Sequence, residues 1–382
     1  MNNKMLYVTG SFPDNQEGIA ASAKVLMDAM VNHLGGDNVV LLTTDKPIIT
    51  NNISANASVK YELMSDWRMR IGNVKCLYEI LSKENITHVH MEYPGDLYGK
   101  TFLATFLPIL IRRYNRKHKT NIECNVRLHE FTKARLLRRM AIVPILLFAH
   151  GIWIPAMEDR QAATKIAGKR VHRTLIGSNI TVVDREKENI SGKTVISYFG
   201  SVYPGKGIER ILELWKSIKE NDKDNKFIFK IIGEVDVNPD NHFLEYHKFV
   251  RERIDSLGLR DDIVITGYVS DEEASVEIRN SDVATLLFED GMSLRRGSFI
   301  AYLSHGVPII TTPGDAESVE ILGNLEGVFM CDDEAKMLEK IYEWAGKDKE
   351  SMDRIHSENI EASSYADWNE IAAKMLKEYE ML

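Results

Sequence analysis

Strand-like and helix-like segments alternate along most of this chain, and that alternation limits its fold more than any other feature. Short apolar runs at 39–44 (VVLLTT), 87–93 (THVHMEY) and 125–131 (NVRLHEF) are separated by segments with apolar residues at helical spacing. These runs are too apolar to leave one face of a sheet in water. They therefore predict parallel strands that are covered by helices on both sides.

A polar and highly charged stretch at 179–193 (NITVVDREKENISGK) interrupts the alternation, which then restarts with TVISYFGS. With 382 residues, the chain is longer than one hydrophobic core usually serves. We therefore predict an α/β protein of two doubly wound, Rossmann-like domains that face a cleft, at 1–187 and 188–364. The last helix, within 365–382, could cap the second domain or cross back to the first.

Charge and cysteine content limit the class of protein. The formal net charge is -8, which argues against a protein that coats nucleic acid with its whole surface. Cys76, Cys124 and Cys331 show no metal-ligand spacing, so we expect reduced thiols and a cytoplasmic location. We also expect no signal peptide and no membrane-spanning segment, because no apolar run is long enough.

The loop at 200–210 (GSVYPGKGIER) is the first candidate site. It lies between a predicted strand and a predicted helix, where doubly wound sheets bind ligands, and it places Lys206 beside Gly207. Backbone amides together with an ammonium group suit a phosphate. The loop is neither a Walker A sequence nor a GxGxxG fingerprint, and the ordinary alternative is a turn with an exposed lysine.

The segment DGMSLRRGS at 290–298 is the second candidate, since it puts two arginines at the start of a predicted helix. Cations are unfavourable at the positive end of a helix dipole. Arg295 and Arg296, followed by Gly297 and Ser298, therefore indicate a bound anion. A solvated loop is the alternative.

Two further candidates lie in the first half of the chain. His129 and Glu130 follow a predicted strand, where a histidine is more often structural than catalytic. Gly18 begins the first predicted helix, and such a start either receives a phosphate or sugar or serves as a cap.

The order of these motifs resembles a known family. The strand followed by GxxxxxKG, then KIIGE (230–234), ITGYVSDEE (265–273) and HGVPIITT (305–312), is similar to the donor domain of retaining glycosyltransferases of the GT-B fold, family 4. EGIAASA, HVHMEY and RLHEF resemble the acceptor domain of that family. YADWNEIA (365–372) looks like its tryptophan-bearing helix, which returns to the N-terminal domain.

The resemblance implies transfer of a sugar, with retained configuration, from a nucleotide-diphosphate sugar to an acceptor hydroxyl, in surface polysaccharide or glycolipid synthesis. It implies no metal and no cofactor. Lys206 matches the phosphate-binding lysine, and His129 matches a histidine that positions the reacting sugar, with Glu130 as a weaker neighbour. The alternatives are a nucleotide-sugar epimerase of similar fold and a non-catalytic protein that binds a sugar nucleotide or a glycan.

The chain departs from the family pattern at two places. The family has two glutamates separated by seven residues, but these positions fall on Ser293 and Ala301, or in another register on Glu289 and Gly297. The arginine expected after the strand glycine is also missing, and we expect Arg295 or Arg296 to replace it. The predicted donor site comprises Gly18, Gly200, Ser201, Lys206, Tyr268, Val269, Glu289, Ser293, Arg295, Arg296, Gly297 and Ser298.

The segment 101–140 is basic, although the whole chain is acidic. Its two acidic residues are Glu123 and Glu130, and its basic residues are Arg112, Arg113, Arg116, Lys117, Lys119, Arg127, Lys133, Arg135, Arg138 and Arg139. Adjacent apolar stretches favour attachment to an anionic membrane surface. A buried helix with a solvated basic end is the alternative. Nucleic acid is disfavoured because few aromatic residues are interleaved.

Overall fold

The chain divides into two compact units. The computed structural model describes residues 3–10, 18–44, 59–93, 98–99, 101–185, 192–236 and 243–382. One unit comprises Met1–Gly177 and Ala366–Leu382, and the other comprises Ser178–Tyr365. The predicted boundary at 187/188 lies outside the described residues, and the division falls earlier, between Gly177 and Ser178.

Each unit is built on a parallel β-sheet, which confirms the predicted α/β class. In the first unit the strands run in the order β3-β2-β1-β4-β5-β6-β7, and in the second in the order β10-β9-β8-β11-β12-β13. The strands are β1 (Met5–Val8), β2 (Val39–Thr43), β3 (Lys60–Leu63), β4 (His88–Tyr93), β5 (Glu123–Leu128), β6 (Gly151–Ile154), β7 (Val171–Arg173), β8 (Thr194–Phe199), β9 (Phe227–Ile232), β10 (Ile263–Ile265), β11 (Val283–Leu286), β12 (Ile309–Thr311) and β13 (Val328–Met330).

Helices follow most of the strands. They are α1 (Gly18–Leu34), α2 (Ile71–Lys83), α3 (Leu103–His118), α4 (Leu136–Phe148), α5 (Met157–Ala167), α6 (Ile208–Asn221), α7 (Leu244–Ser256), α8 (Asp271–Arg279), α9 (Gly297–Ser304), α10 (Ala316–Leu322), α11 (Glu334–Ala345), α12 (Lys349–Ser363) and α13 (Trp368–Glu378). Single turns of 3₁₀ helix lie at Gly36–Asn38, Gly168–Arg170 and Ser364–Ala366. None of the described helices is long and apolar enough to cross a membrane.

The sheet of the first unit is buried on both faces. Leu6 and Val8 of β1 belong to the apolar layer beneath α2, α3 and α4, whereas Met5 and Tyr7 face a second layer formed with α1 and α13. This alternation follows from the two-residue period of a strand. The last helix, α13, contributes Trp368 to the second layer and so packs within the first unit.

The loops of the second unit begin at the carboxyl ends of its strands. Gly200 follows β8 and Gly233 follows β9, and a Cβ on Gly233 would lie 2.5 Å from the Gly200 carbonyl oxygen. The two loops can approach this closely because residue 233 is a glycine. The predicted helix near 271 is also well specified, because Ser270 and Glu273 form a reciprocal capping box at the start of α8.

Candidate functional site

In the second unit, the loop after β8 lies against the first turn of α9. Gly200 has φ +134°, a conformation that favours glycine, and a Cβ there would lie 3.7 Å from the Ser298 Cβ. The next turn depends on Gly207, which has φ +70° and precedes α6. A Cβ on Gly207 would lie 1.7 Å from the Leu287 carbonyl oxygen. The backbone at 206–207 is therefore held directly against the end of β11.

Two cations meet at the ring of Phe288. Lys206 Nζ lies 5.7 Å from the centre of that ring and 4.7 Å from the centre of the Tyr203 ring. The Arg296 guanidinium carbon lies 4.3 Å from the centre of the Phe288 ring. Phe288 is buried, so its faces are attractive to cations that are partly removed from water. The geometry thus brings together Lys206 and Arg296, which the sequence proposed separately.

Arg296 has an anionic partner within the protein. Its guanidinium forms an ion pair with Asp290, and its Nη2 also donates to the Gly291 carbonyl oxygen at 3.4 Å. Its Nε is buried and has no hydrogen-bond partner among the described residues. The anion expected from the charge pattern is therefore supplied by Asp290, at least in part. Arg295 is exposed, so of the two arginines Arg296 is the one that the fold places beside Lys206.

The other predicted donor residues occupy several positions. The Glu289 amide donates to the Gly205 carbonyl oxygen at 3.2 Å, and the Ser293 carbonyl oxygen accepts from the Arg296 amide at 3.0 Å. Gly297 is the first residue of α9, and Ser201 is exposed. Tyr268 and Val269 follow the edge strand β10, two strands away from β8, whereas Gly18 begins α1 in the first unit.

In the first unit, His129 lies against a carboxylate that the sequence did not single out. His129 follows β5, and its Nε2 lies 2.6 Å from Glu92 Oε2. The side chain of His129 is 8% exposed and that of Glu92 is fully buried. The parallel pairing of β4 with β5 sets Glu92 beside Arg127, whose Nη1 lies 3.4 Å from Glu92 Oε1. A charged cluster is thus buried next to the predicted histidine.

The protonation of this cluster follows from its burial and its charges. Burial would raise the pKa of Glu92, but the charge of Arg127 and the hydrogen bonds from His129 and His90 hold that pKa well below its usual range. Burial lowers the pKa of His129, and Glu92 only partly opposes this effect. Glu92 is therefore ionised at neutral pH, and His129 is neutral.

Glu130 does not belong to this cluster. Its side chain is 40% exposed and lies 3.7 Å from the Arg138 guanidinium. The neighbouring carboxylate of His129 is Glu92, which lies on the preceding strand of the chain. A sequence signal existed, because aligning HVHMEY (88–93) and ECNVRL (123–128) as adjacent parallel strands puts Glu92 beside Arg127.

Only part of the basic segment 101–140 lies on the surface of the protein. Arg127 was counted with it, and that was wrong, because Arg127 is fully buried against Glu92 and its guanidinium lies 5.3 Å from the Trp368 ring. α4 does form an exposed surface. Leu136, Leu137 and Met140 are 71%, 82% and 62% exposed in its first turns.

Metal ligands are not clustered in the described part of the chain. No three His, Cys, Asp or Glu side chains there are close enough together to hold a metal ion. The prediction that the reaction needs no metal remains a prediction.

Comparisons with known proteins agree with this architecture. Residues 182–362 match the family model described as glycosyl transferases group 1. A solved glycosyltransferase from Rickettsia africae has 16% identity and a TM-score of 0.74, covering 100% of this chain and 98% of that one. Sucrose-phosphate synthase from Thermosynechococcus elongatus has 13% identity and a TM-score of 0.69, covering 99% and 98%. Anabaena HepE in complex with UDP and glucose has 13% identity and a TM-score of 0.68, covering 100% of both chains.

At these identities the solved structures show a shared fold alone. The curated proteins include no sequence that matches the chain. The chain thus has the two α/β domains of the GT-B fold, and residues 182–362, within the second unit, match the group 1 glycosyl transferase model. Together these findings support a glycosyltransferase.

Proposed function

We propose that this protein is a retaining glycosyltransferase of family 4, which moves a sugar from a nucleotide-diphosphate sugar to an acceptor hydroxyl in surface polysaccharide or glycolipid synthesis. The observation that carries the proposal is the pair of cations, Lys206 and Arg296, on the buried ring of Phe288. The pair lies at the carboxyl edge of the second sheet, within the segment that matches the group 1 family model.

The pair suits a diphosphate leaving group. Charge builds on the diphosphate as the glycosidic bond breaks, and fixed cations stabilise that charge without reorganising. The N-terminus of α9 adds backbone N–H groups close to Arg296. Arg296 thus takes the place of the family arginine that is missing after Gly200, and Asp290 holds its guanidinium until the diphosphate arrives.

In this proposal the first unit supplies the acceptor side of the reaction. His129 is neutral, and its ring is held by Glu92. A neutral imidazole can accept a hydrogen bond from a sugar hydroxyl without adding a positive charge. Glu130 is exposed and paired with Arg138, so its part in the reaction is secondary to that of His129.

Transfer is tested by incubating the full chain with a panel of nucleotide sugars and a mixture of lipid-linked or free glycan acceptors. We expect release of nucleoside diphosphate that depends on the acceptor, and an anomeric proton signal of retained configuration in the product. Conversion of the donor in the absence of an acceptor would instead indicate an epimerase. Binding of the donor with neither transfer nor slow hydrolysis would indicate a non-catalytic binding protein.

The second part of the proposal is attachment to an anionic membrane surface through α4. Its exposed Leu136, Leu137 and Met140 are interspersed with Arg138 and Arg139. Apolar side chains enter the acyl boundary while arginines bind lipid phosphates, and the two effects add. The side chains that line this surface thus have the chemistry of an interfacial helix.

Vesicle flotation tests this part. We expect the protein to float with vesicles that contain phosphatidylglycerol and not with neutral phosphatidylcholine vesicles. Leu136→Ser combined with Leu137→Ser should abolish flotation, whereas the control Phe249→Ser, which alters an exposed apolar residue of α7, should not. Equal recovery with both vesicle types, or full flotation of the double variant, would contradict the proposal.

A further inference from the structure

The two carboxylate oxygens of Glu92 differ in the number of groups that surround them. Its Oε2 has one partner, His129 Nε2, at 2.6 Å. Its Oε1 has two N–H donors within reach, His90 Nε2 at 3.1 Å and Arg127 Nη1 at 3.4 Å. Tyr7 Oη also lies 3.1 Å away, but its single proton is nearer to the Ala23 carbonyl oxygen, at 2.7 Å. All of these groups belong to the first unit, and Glu92 is fully buried among them.

The acceptor role of Glu92 fixes the position of the His129 proton. An ionised carboxylate has no proton to donate, so the short contact requires that His129 Nε2 carries the hydrogen. A neutral ring then has an unprotonated Nδ1, and no described residue hydrogen-bonds to that atom. Within the described part of the chain, His129 Nδ1 is therefore an acceptor nitrogen without a protein donor, where β5 ends.

The network continues to the last helix of the chain. His90 Nε2 donates to Glu92, and the other ring nitrogen of His90, Nδ1, lies 2.9 Å from Tyr379 Oη. Tyr379 directly follows α13 and is buried. A continuous set of hydrogen bonds thus joins α13 through His90 and Glu92 to His129. Polar groups in such a buried chain hold one another in a single orientation.

We propose that Glu92 is a positioning residue that holds His129 as the Nε2–H tautomer, so that its Nδ1 accepts a hydrogen bond from a substrate hydroxyl. His90 and Tyr379 hold Glu92 in turn. The identity of the hydroxyl, on the donor sugar or the acceptor, rests on the proposed function. The tautomer itself does not, because it follows from contacts within the first unit.

The variant Glu92→Gln gives a sharp test. The amide has one acceptor oxygen, and the two N–H donors at the Oε1 position, one of them the permanently charged Arg127, compete for it against the single donor at the Oε2 position. The amide NH₂ should therefore face His129, whose Nε2 must then accept. We expect the His129 proton to move to Nδ1, which inverts the tautomer and removes the free acceptor.

Long-range ¹H–¹⁵N spectra of the ¹⁵N-histidine-labelled full chain measure the tautomer without any substrate. The His129 signals are assigned by their absence in His129→Gln. We expect Nε2–H in the wild type, Nδ1–H in Glu92→Gln, and the wild-type pattern in the control Glu84→Gln, which changes another buried, ion-paired carboxylate of this unit. A wild-type ring protonated on Nδ1 would overturn the proposal, even if Glu92→Gln does not fold.

Kinetics separate this role from the proposed function. If transfer is found, Glu92→Gln should lower kcat by up to roughly 10-fold, about what the loss of one substrate hydrogen bond contributes, with the KM for the donor within about twofold. An unchanged kcat together with an inverted tautomer would overturn the catalytic part of the proposal. Complete absence of transferase activity in the wild type, with the Nε2–H tautomer observed, would refute the proposed function and leave the tautomer assignment standing.

Discussion

The change Arg296→Ala tests the diphosphate site most sharply. A hydrogen bond between charged groups contributes about 1.5–3 kcal/mol. To reach a diphosphate, Arg296 must leave Asp290, whose side chain is largely exposed, and such ion pairs contribute about 0.2–1 kcal/mol. The net loss of binding free energy should therefore be roughly 1–2 kcal/mol, or roughly a 5- to 30-fold weaker Kd.

Isothermal titration calorimetry with UDP, GDP, ADP and dTDP measures this loss, and the nucleotide that binds the wild type best is the probe. The control is Arg260→Ala, which breaks an arginine–aspartate pair, with Asp255, on the surface of the same unit. We expect Arg260→Ala to bind as the wild type does. Equal affinity of Arg296→Ala and the wild type would refute the assignment of Arg296 to the diphosphate.

Three further predictions concern the second unit. Asp290→Asn removes the internal competitor of the diphosphate, so affinity in the same titration should rise by up to about fivefold. Gly207→Ala should lower the free energy of unfolding, measured in urea, by about 3 kcal/mol or more, because a left-handed conformation costs about 1–2 kcal/mol and the new Cβ overlaps the Leu287 carbonyl. Gly258→Ala, with φ +69° and open space around the new Cβ, should lose only the conformational contribution of about 1–2 kcal/mol. Burial lowers the pKa of His305 to about 4. Below pH 6.5 the unfolded state therefore binds more protons than the folded state does, so up to about 3 kcal/mol of the free energy of unfolding should be lost as the pH falls from 6.5 to 4.

Each of these has a contradicting outcome. Weaker nucleotide binding by Asp290→Asn would mean that Asp290 orients the site and does not compete. Equal losses in Gly207→Ala and Gly258→Ala would show that the contact with Leu287 relaxes at little cost. For His305, the stability gap between wild type and His305→Gln should narrow as the pH falls, and a constant gap would contradict the buried, neutral histidine.

The order of strands and helices could be predicted from the sequence because parallel strands are buried on both faces. Such strands need continuous apolar runs, and VVLLTT is one that the structure confirms as β2. Shorter or more polar strands gave no comparable signal. β3 (Lys60–Leu63) is largely exposed, and β7 (Val171–Arg173) has three residues, so neither stands out by composition.

The sequence predicted individual site residues better than the residues that they contact in the fold. Lys206 and Arg296 could be proposed from their places before helices, because helix starts at the carboxyl edge of a sheet are where anions bind. Their shared contact with Phe288, and the pairing of Arg296 with Asp290, depend on how loops fold back in space. No local pattern in the sequence contains that information.

The buried cluster around Glu92 was missed for a related reason. Charged residues are normally exposed, so Arg127 was counted with a basic surface. Its burial is stabilised by Glu92 on the neighbouring strand, by the Leu175 carbonyl oxygen and by the ring of Trp368 near the other end of the chain. A contact between residues so distant in sequence is set by the fold.

The central claim is that the second unit binds a nucleotide-diphosphate sugar through Lys206 and Arg296. A thermal-shift panel of nucleotide sugars and free nucleoside diphosphates tests it most directly, because a ligand that binds only the native state raises Tm. We predict that at least one nucleotide sugar raises the Tm of the wild type, and that the rise is lost in the double variant Lys206→Ala/Arg296→Ala. A panel with no stabilising nucleotide, or an equal rise in the double variant, would contradict the claim.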